Sequence, residues 1–81
     1  KANPVIDLKV RPNPSSESFE INFENKSHLE YSIYTIQGLK VENGTVSNGQ
    51  TIGVELKHGL YLLVVKNTEG TFSQTIKIIK L

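Results

Sequence analysis

The chain contains no cysteine and no tryptophan, and it holds only three prolines, three tyrosines and three phenylalanines in 81 residues. Without cysteine, neither a disulfide framework nor a thiolate metal site can form. Without tryptophan, the broad ring that usually stacks on a sugar is missing. No apolar run approaches the roughly 18 residues of a membrane-spanning helix, and the first residues do not read as a signal peptide. Charge of one sign is also missing: nine basic and eight acidic residues leave a net charge of +1. They are interspersed, with no basic stripe, which argues against nucleic acid as a partner. A chain of this length is one domain. It buries about 60–65% of its unfolded surface, which leaves no room for a deep active-site cleft beside a core. It starts at Lys1 without an initiator methionine, and so reads as a piece of a longer protein.

What the chain does have is β-forming residues in short blocks. Valine, isoleucine, threonine, tyrosine and phenylalanine recur between Gly, Asn and Ser at intervals of about ten residues, the pattern of an all-β sandwich. The spacing predicts seven strands, and the fold class is an immunoglobulin-like β-sandwich. Strand one covers about Val5–Val10 and is stopped by Pro12 and Pro14, which lack amide donors. Strand two, Ser18–Phe23, sets Phe19, Ile21 and Phe23 on one face. A polar loop, Glu24-Asn25-Lys26-Ser27-His28, leads to strand three, about Leu29–Ile36, with Leu29, Tyr31 and Ile33 inward. Gln37-Gly38 turns into strand four, about Leu39–Val46, where Asn43-Gly44 predicts a bulge or an early turn. Asn48-Gly49 is the stronger turn signal. Strand five, Gln50–Leu56, aligns Ile52, Val54 and Leu56. Strand six, about Leu60–Lys66, is apolar on both faces, which predicts a central strand whose second face is covered. Asn67-Thr68-Glu69-Gly70 turns into strand seven, Thr71–Leu81, with Phe72, Ile76 and Ile78 on one face and Ile79 and Leu81 on the other.

Residues able to do chemistry are scattered. His28 and His58 lie thirty residues apart in separate loops, whereas a catalytic or metal pair needs side chains that converge. Glu17, Glu20 and Glu24 are neighbours in sequence, but Glu20 and Glu24 sit on a strand's solvent face, where charge blunts aggregation. Asp7 is a conceivable calcium ligand, yet there is no Asp-x-Asp loop. Ser15, Ser16 and Ser73 have no nucleophile-elbow glycines and read as turn and strand-face serines. No catalytic residue, metal ligand or cofactor site is therefore assigned, and the chain is not expected to be an enzyme.

Three pieces combine into a pattern: Val10-Arg11-Pro12-Asn13-Pro14-Ser15 after the first strand, Ile33 through Val41 mid-chain, and Gly59-Leu60-Tyr61 leading to a strand that runs to Leu81. In their order and spacing they resemble the C-terminal sorting domain, type A, of cargo proteins of the type IX secretion (Por secretion) system of Bacteroidetes-type bacteria. The resemblance covers about Ile6 to Lys80. It implies an address label that folds in the periplasm behind a covalently fused N-terminal cargo domain. The label would be recognised by the translocon and an outer-membrane shuttle protein, then removed by a sortase-like protease, leaving the cargo at the cell surface or in the medium. Residues 1–4 would be the remains of the linker and residues 5–81 the sorting domain. Two departures stand out: Ser16-Glu17-Ser18 where the family often has Gly or a small residue, and Lys57-His58 where it has an acidic and a small residue. The candidate recognition residues are Pro12, Asn13, Pro14, Gly59, Tyr61, Lys77, Ile78, Ile79, Lys80 and Leu81. The last five read either as a lysine-guarded edge or as a docking strand that offers free backbone, charge and apolar side chains. An alternative is a fibronectin-like or carbohydrate-binding accessory module of a surface protein, for which Tyr34 is the one plausible outward ring.

Gly59 is expected to take a backbone turn at φ > 0, with Tyr61 packing its ring and satisfying its hydroxyl. Gly59→Val should therefore cost about 1–3 kcal/mol. In thermal unfolding of the purified domain that is a fall in Tm of roughly 5–20 °C; an unchanged Tm would show that the glycine is not conformationally required.

Overall fold

A computed structural model describes residues 7–24 and 28–81. Expectations that fall on Val5, Ile6, the linker at 1–4 and the loop residues 25–27 lie outside the described residues. Among the described residues seven strands form: β1 Lys9–Arg11, β2 Phe19–Asn22, β3 Leu29–Thr35, β4 Lys40–Val46, β5 Gln50–Ile52, β6 Gly59–Asn67 and β7 Ser73–Lys80. They make two antiparallel sheets, one ordered β1-β2-β5 and the other β4-β3-β6-β7. The sheets pack face to face as an immunoglobulin-like sandwich. The periodicity of two decides what lies between them. Phe19 and Ile21 from β2 and Ile52 from β5 meet Leu29, Ile33, Leu63, Val65 and Ile78 from the other sheet, all buried. Each such side chain contributes on the order of 1.5–3 kcal/mol on leaving water.

Most turns fall where the sequence places them. Gly38 has φ of +96° and donates its N–H to the Thr35 carbonyl, closing the β3–β4 hairpin. Gly49, at φ +86°, lies in the turn closed by the Gln50 N–H on the Ser47 carbonyl. Asn43-Gly44 is different: β4 runs straight through it, with Asn43 opposite Ser32 and Gly44 opposite Tyr31. The expected bulge or turn is absent there, and the register instead shifts between Ile33 and Tyr34, opposite Glu42 and Lys40. The glycine serves packing: a Cβ at Gly44 would lie 3.3 Å from Cε1 of the Tyr31 ring.

Strand five is shorter than its alternation suggests. It ends at Ile52 because Gly53 turns at φ +77°, and Val54 points to solvent while Leu56 returns to the core. A Cβ on Gly53 would come within 3.0 Å of Phe19 Cδ1. Both polar groups of Gly53 are held by charged side chains. Its N–H donates to Glu42 Oε2 at 3.0 Å, and its carbonyl accepts from Lys80 Nζ at 2.7 Å. Glu42 Oε2 also accepts the Tyr31 hydroxyl at 2.7 Å. Burial, reinforced by the hydrogen bond and charge of Glu42, pushes the Tyr31 phenol well above its ordinary value, so Tyr31 remains a donor. Lys80 Nζ donates further to the Val54 carbonyl at 3.1 Å.

Lys80 is thus buried, whereas the sequence suggested a solvent-facing lysine. The reason is parity: β7 turns Ile76, Ile78 and Lys80 inward and Thr75, Lys77 and Ile79 outward. The two lysines should therefore behave differently. Lys80→Ala strips two backbone carbonyls of a charged donor and should cost about 2 kcal/mol, roughly 8–16 °C in Tm. Lys77→Ala should stay within about 0.5 kcal/mol. Equal melting temperatures for the two variants would contradict the inward placement of Lys80.

Candidate recognition surface

The ten residues singled out from sequence gather around the final half of β7. Pro12, Asn13 and Pro14 are exposed in the loop after β1, and both X–Pro bonds are cis. Asn13 lies alongside β7 and uses its side-chain amide as a substitute peptide group. Its Nδ2 donates to the Lys77 carbonyl at 2.9 Å, and its Oδ1 accepts the Ile79 N–H at 3.1 Å. Ser15 continues the pairing, donating its N–H to the Ile79 carbonyl at 3.0 Å and accepting the Leu81 N–H at 2.8 Å. Ser15 and Lys80 form a parallel bridge. The Ser15 hydroxyl donates to the Ser18 carbonyl at 2.6 Å and accepts the Glu17 N–H at 3.2 Å, which fixes the turn into β2.

This arrangement corrects one expectation. A docking strand over Lys77–Leu81 needs unpaired backbone, but the Lys77 carbonyl, both polar groups of Ile79 and the Leu81 N–H are already bonded to Asn13 and Ser15. What those five residues present to solvent is side chains. Lys77, Ile79 and Leu81 point outward, whereas Ile78 and Lys80 are buried.

Gly59 and Tyr61 stand at the start of β6, beside that end of β7, where Gly59 pairs with Lys80 and Tyr61 with Ile78. Gly59 has φ of +150°, in the region that favours glycine. The Tyr61 ring lies over Gly59, and its hydroxyl donates to the Lys57 carbonyl at 2.8 Å, closing the loop that leads into β6. Both residues are partly buried and shape the backbone beneath the surface.

The sequence did not reveal the outer face of the four-stranded sheet. Strand β6 is central, between β3 and β7, as expected, but among the described residues nothing covers its second face. Leu60 is 40% exposed and Ile79, paired with it, 39% exposed, with Leu62 and Val64 partly buried on the same face. Tyr34 points the same way, with Lys40 Nζ 5.8 Å from its ring centre. The double apolar alternation of β6 was the available signal; an assumed covering layer obscured it.

Chemistry-bearing groups do not converge. His28 and His58 are both exposed. Among the described residues no three His, Cys, Asp or Glu side chains group as a metal site would require. Asp7 lies on a shallow depression of about 260 Å³ that Glu24, Lys9 and Arg11 also line, so its two carboxylates are offset by two cations.

The described residues thus form a seven-stranded sandwich with a partly exposed apolar sheet face and a last strand bonded along both edges. The chain matches the family described as a secretion system C-terminal sorting domain over residues 9–80, and it belongs to that family. The domain is therefore a sorting signal of the type IX secretion system, a family of address labels rather than of catalysts, whose members take proteins across the outer membrane to the surface or the medium. A similar protein is an endo-acting ulvan lyase from Formosa agariphila, 34% identical over 61 residues. The match takes in 70% of this chain but 12% of the lyase, so the chain spans about an eighth of the length of the curated relative it matches.

Asn13→Ala removes both amide contacts to β7. At about 1 kcal/mol for each, the Tm should fall by roughly 8–16 °C, and amide exchange at Ile79 should accelerate as its acceptor is lost. Unchanged exchange at Ile79 would mean that the asparagine does not clamp the strand.

Proposed function

We propose that the type IX translocon and its outer-membrane shuttle protein read this domain through the surface where the Pro12-Asn13-Pro14 loop meets the outward side chains of β7. Pro12 and Pro14 with Lys77, Ile79 and Leu81 make the contact. Asn13, Gly59, Tyr61, Ile78 and Lys80 hold that contact surface in shape. The domain, residues 5–81, folds in the periplasm behind an N-terminal cargo joined through residues 1–4. A sortase-like protease then removes it, and the chain itself performs no catalysis. The observation that carries this reading is the Asn13 clamp, which fixes two segments 64 residues apart into one surface. Fixed geometry of this kind lowers the entropy cost of recognition.

A carbohydrate-binding reading is less well supported, because the outward ring of Tyr34 has the Lys40 ammonium above it, where a sugar would need to stack.

The experiment is a neutral exported reporter fused ahead of residues 1–81 in a host with the type IX system. The intact fusion should reach the surface or medium with the domain removed, and a host lacking the translocon should retain it in the periplasm. Ile79→Ser with Leu81→Ser should abolish delivery while the purified variant still unfolds cooperatively. Delivery of that folded variant at the level of the intact domain would rule out the assigned contact surface.

A further inference from the structure

The outer face of the four-stranded sheet is graded. Register places Lys40, Tyr34, Leu62 and Lys77 side by side across β4, β3, β6 and β7. One level nearer the end of the chain, Leu60 pairs with Ile79, and Ile36, 60% exposed, lies in the turn just beyond β3. One level away on the other side, Ser32, Val64 and Thr75 align. Beyond them Thr45, Glu30, Lys66 and Ser73 make a polar row. The apolar end therefore has a lysine on each flank, Lys40 on one edge strand and Lys77 on the other. Its acidic neighbours are turned away: Glu42 points inward to Tyr31 and Gly53, and Glu30 lies in the far row.

Edge lysines guard sheets against pairing, but they do not account for the apolar residues between them. Monomeric domains rarely leave a contiguous apolar sheet face without a partner. Charge decides among occupants. A second copy stacked on this face would bring cations against cations, since both flanks are basic. A membrane-inserting device presents projecting side chains, whereas Leu62 and Val64 are half-buried in a flat sheet.

We propose that this face, centred on Leu60 and Leu62 and flanked by Lys40 and Lys77, docks a flat protein surface with an apolar centre and an acidic rim. Resting on the sorting reading above, the inference extends recognition from the end of β7 across β6 and β3 to the opposite edge of the sheet. The partner is a component of the outer-membrane secretion machinery, met while the domain is folded. Apolar contact holds the complex, and the lysine flanks orient it and speed encounter.

The test uses the reporter fusion with Leu62→Asp and, separately, Lys40→Glu, with Thr45→Ala in the polar row as the control. Each of the first two should lower surface delivery roughly tenfold, the loss of a central apolar contact or the reversal of a facing charge. Thr45→Ala should deliver as the parent does. Leu62→Thr, which suits a strand and lacks the apolar bulk, replaces Leu62→Asp if the aspartate unfolds the sheet. Full delivery by folded Leu62→Thr and Lys40→Glu variants, with the parent delivered, overturns this inference and leaves the sorting reading standing. Failure of the parent fusion overturns both. Two further arms use the purified domain. Co-sedimentation with phosphatidylglycerol vesicles that is lost in Lys40→Glu would assign the face to membrane. A dimer in sedimentation velocity that Leu62→Asp dissociates would assign it to a second copy. The expected result is a monomer that leaves vesicles in suspension.

Discussion

The two hydrogen-bonding groups of Gly53 are the point on which the sandwich closes. Its N–H is held by Glu42, from one edge strand of the large sheet, and its carbonyl by Lys80, from the other edge strand. Gly53 itself follows β5, in the small sheet. Opposite charges from opposite edges thus grip a single residue of the facing sheet, and an apolar contact could not impose such a direction. Charge-assisted bonds in a partly desolvated setting are stronger than neutral ones. They also fix the relative slide of the two sheets, which the non-directional packing of Phe19, Ile21, Leu63 and Ile78 leaves freer. Glycine is required at this position for two independent reasons, its positive φ and the proximity of Phe19.

That grip also explains how an 81-residue domain keeps its last strand ordered. Chain ends usually fray because they make few contacts. Here β7 is bonded to β6 on one side and to Asn13 and Ser15 on the other, and its last residue, Lys80, reaches through to Gly53 and Val54. A sorting signal must present one recognisable shape on whatever protein carries it, and this end of the domain is held from three directions. The cost is that the backbone there is spent on folding. In the proposed mode of recognition, contact falls to side chains: Lys77, Ile79 and Leu81, the exposed prolines, and the apolar face that continues across β6.

Residue parity separates the lysines and isoleucines that sequence placed together. Lys77, Ile78, Ile79 and Lys80 form one run, yet alternate members face opposite ways, and the interior accepts Lys80 only because two carbonyls meet its ammonium. A lysine at an inward position usually signals an edge or an error in register. Here the register is fixed by Ile76 and Ile78, and the ammonium follows from it.

The sequence by itself determined the fold class, the number of strands, the inward faces of β2 and β3, the turns at Gly38 and Gly49, and membership of the sorting-domain family. These are local matters: alternation with period two, glycine where φ must be positive, proline where a ladder must stop, and motif order along the chain. Only the tertiary structure decided that Gly44 makes room for Tyr31, that β5 stops at Gly53, that Asn13 clamps β7, that Lys80 lies inside, and that the second face of β6 is open. The first four of these depend on partners 11 to 66 residues away in sequence, and no local pattern can announce a contact whose other half is set by how two sheets come to face each other.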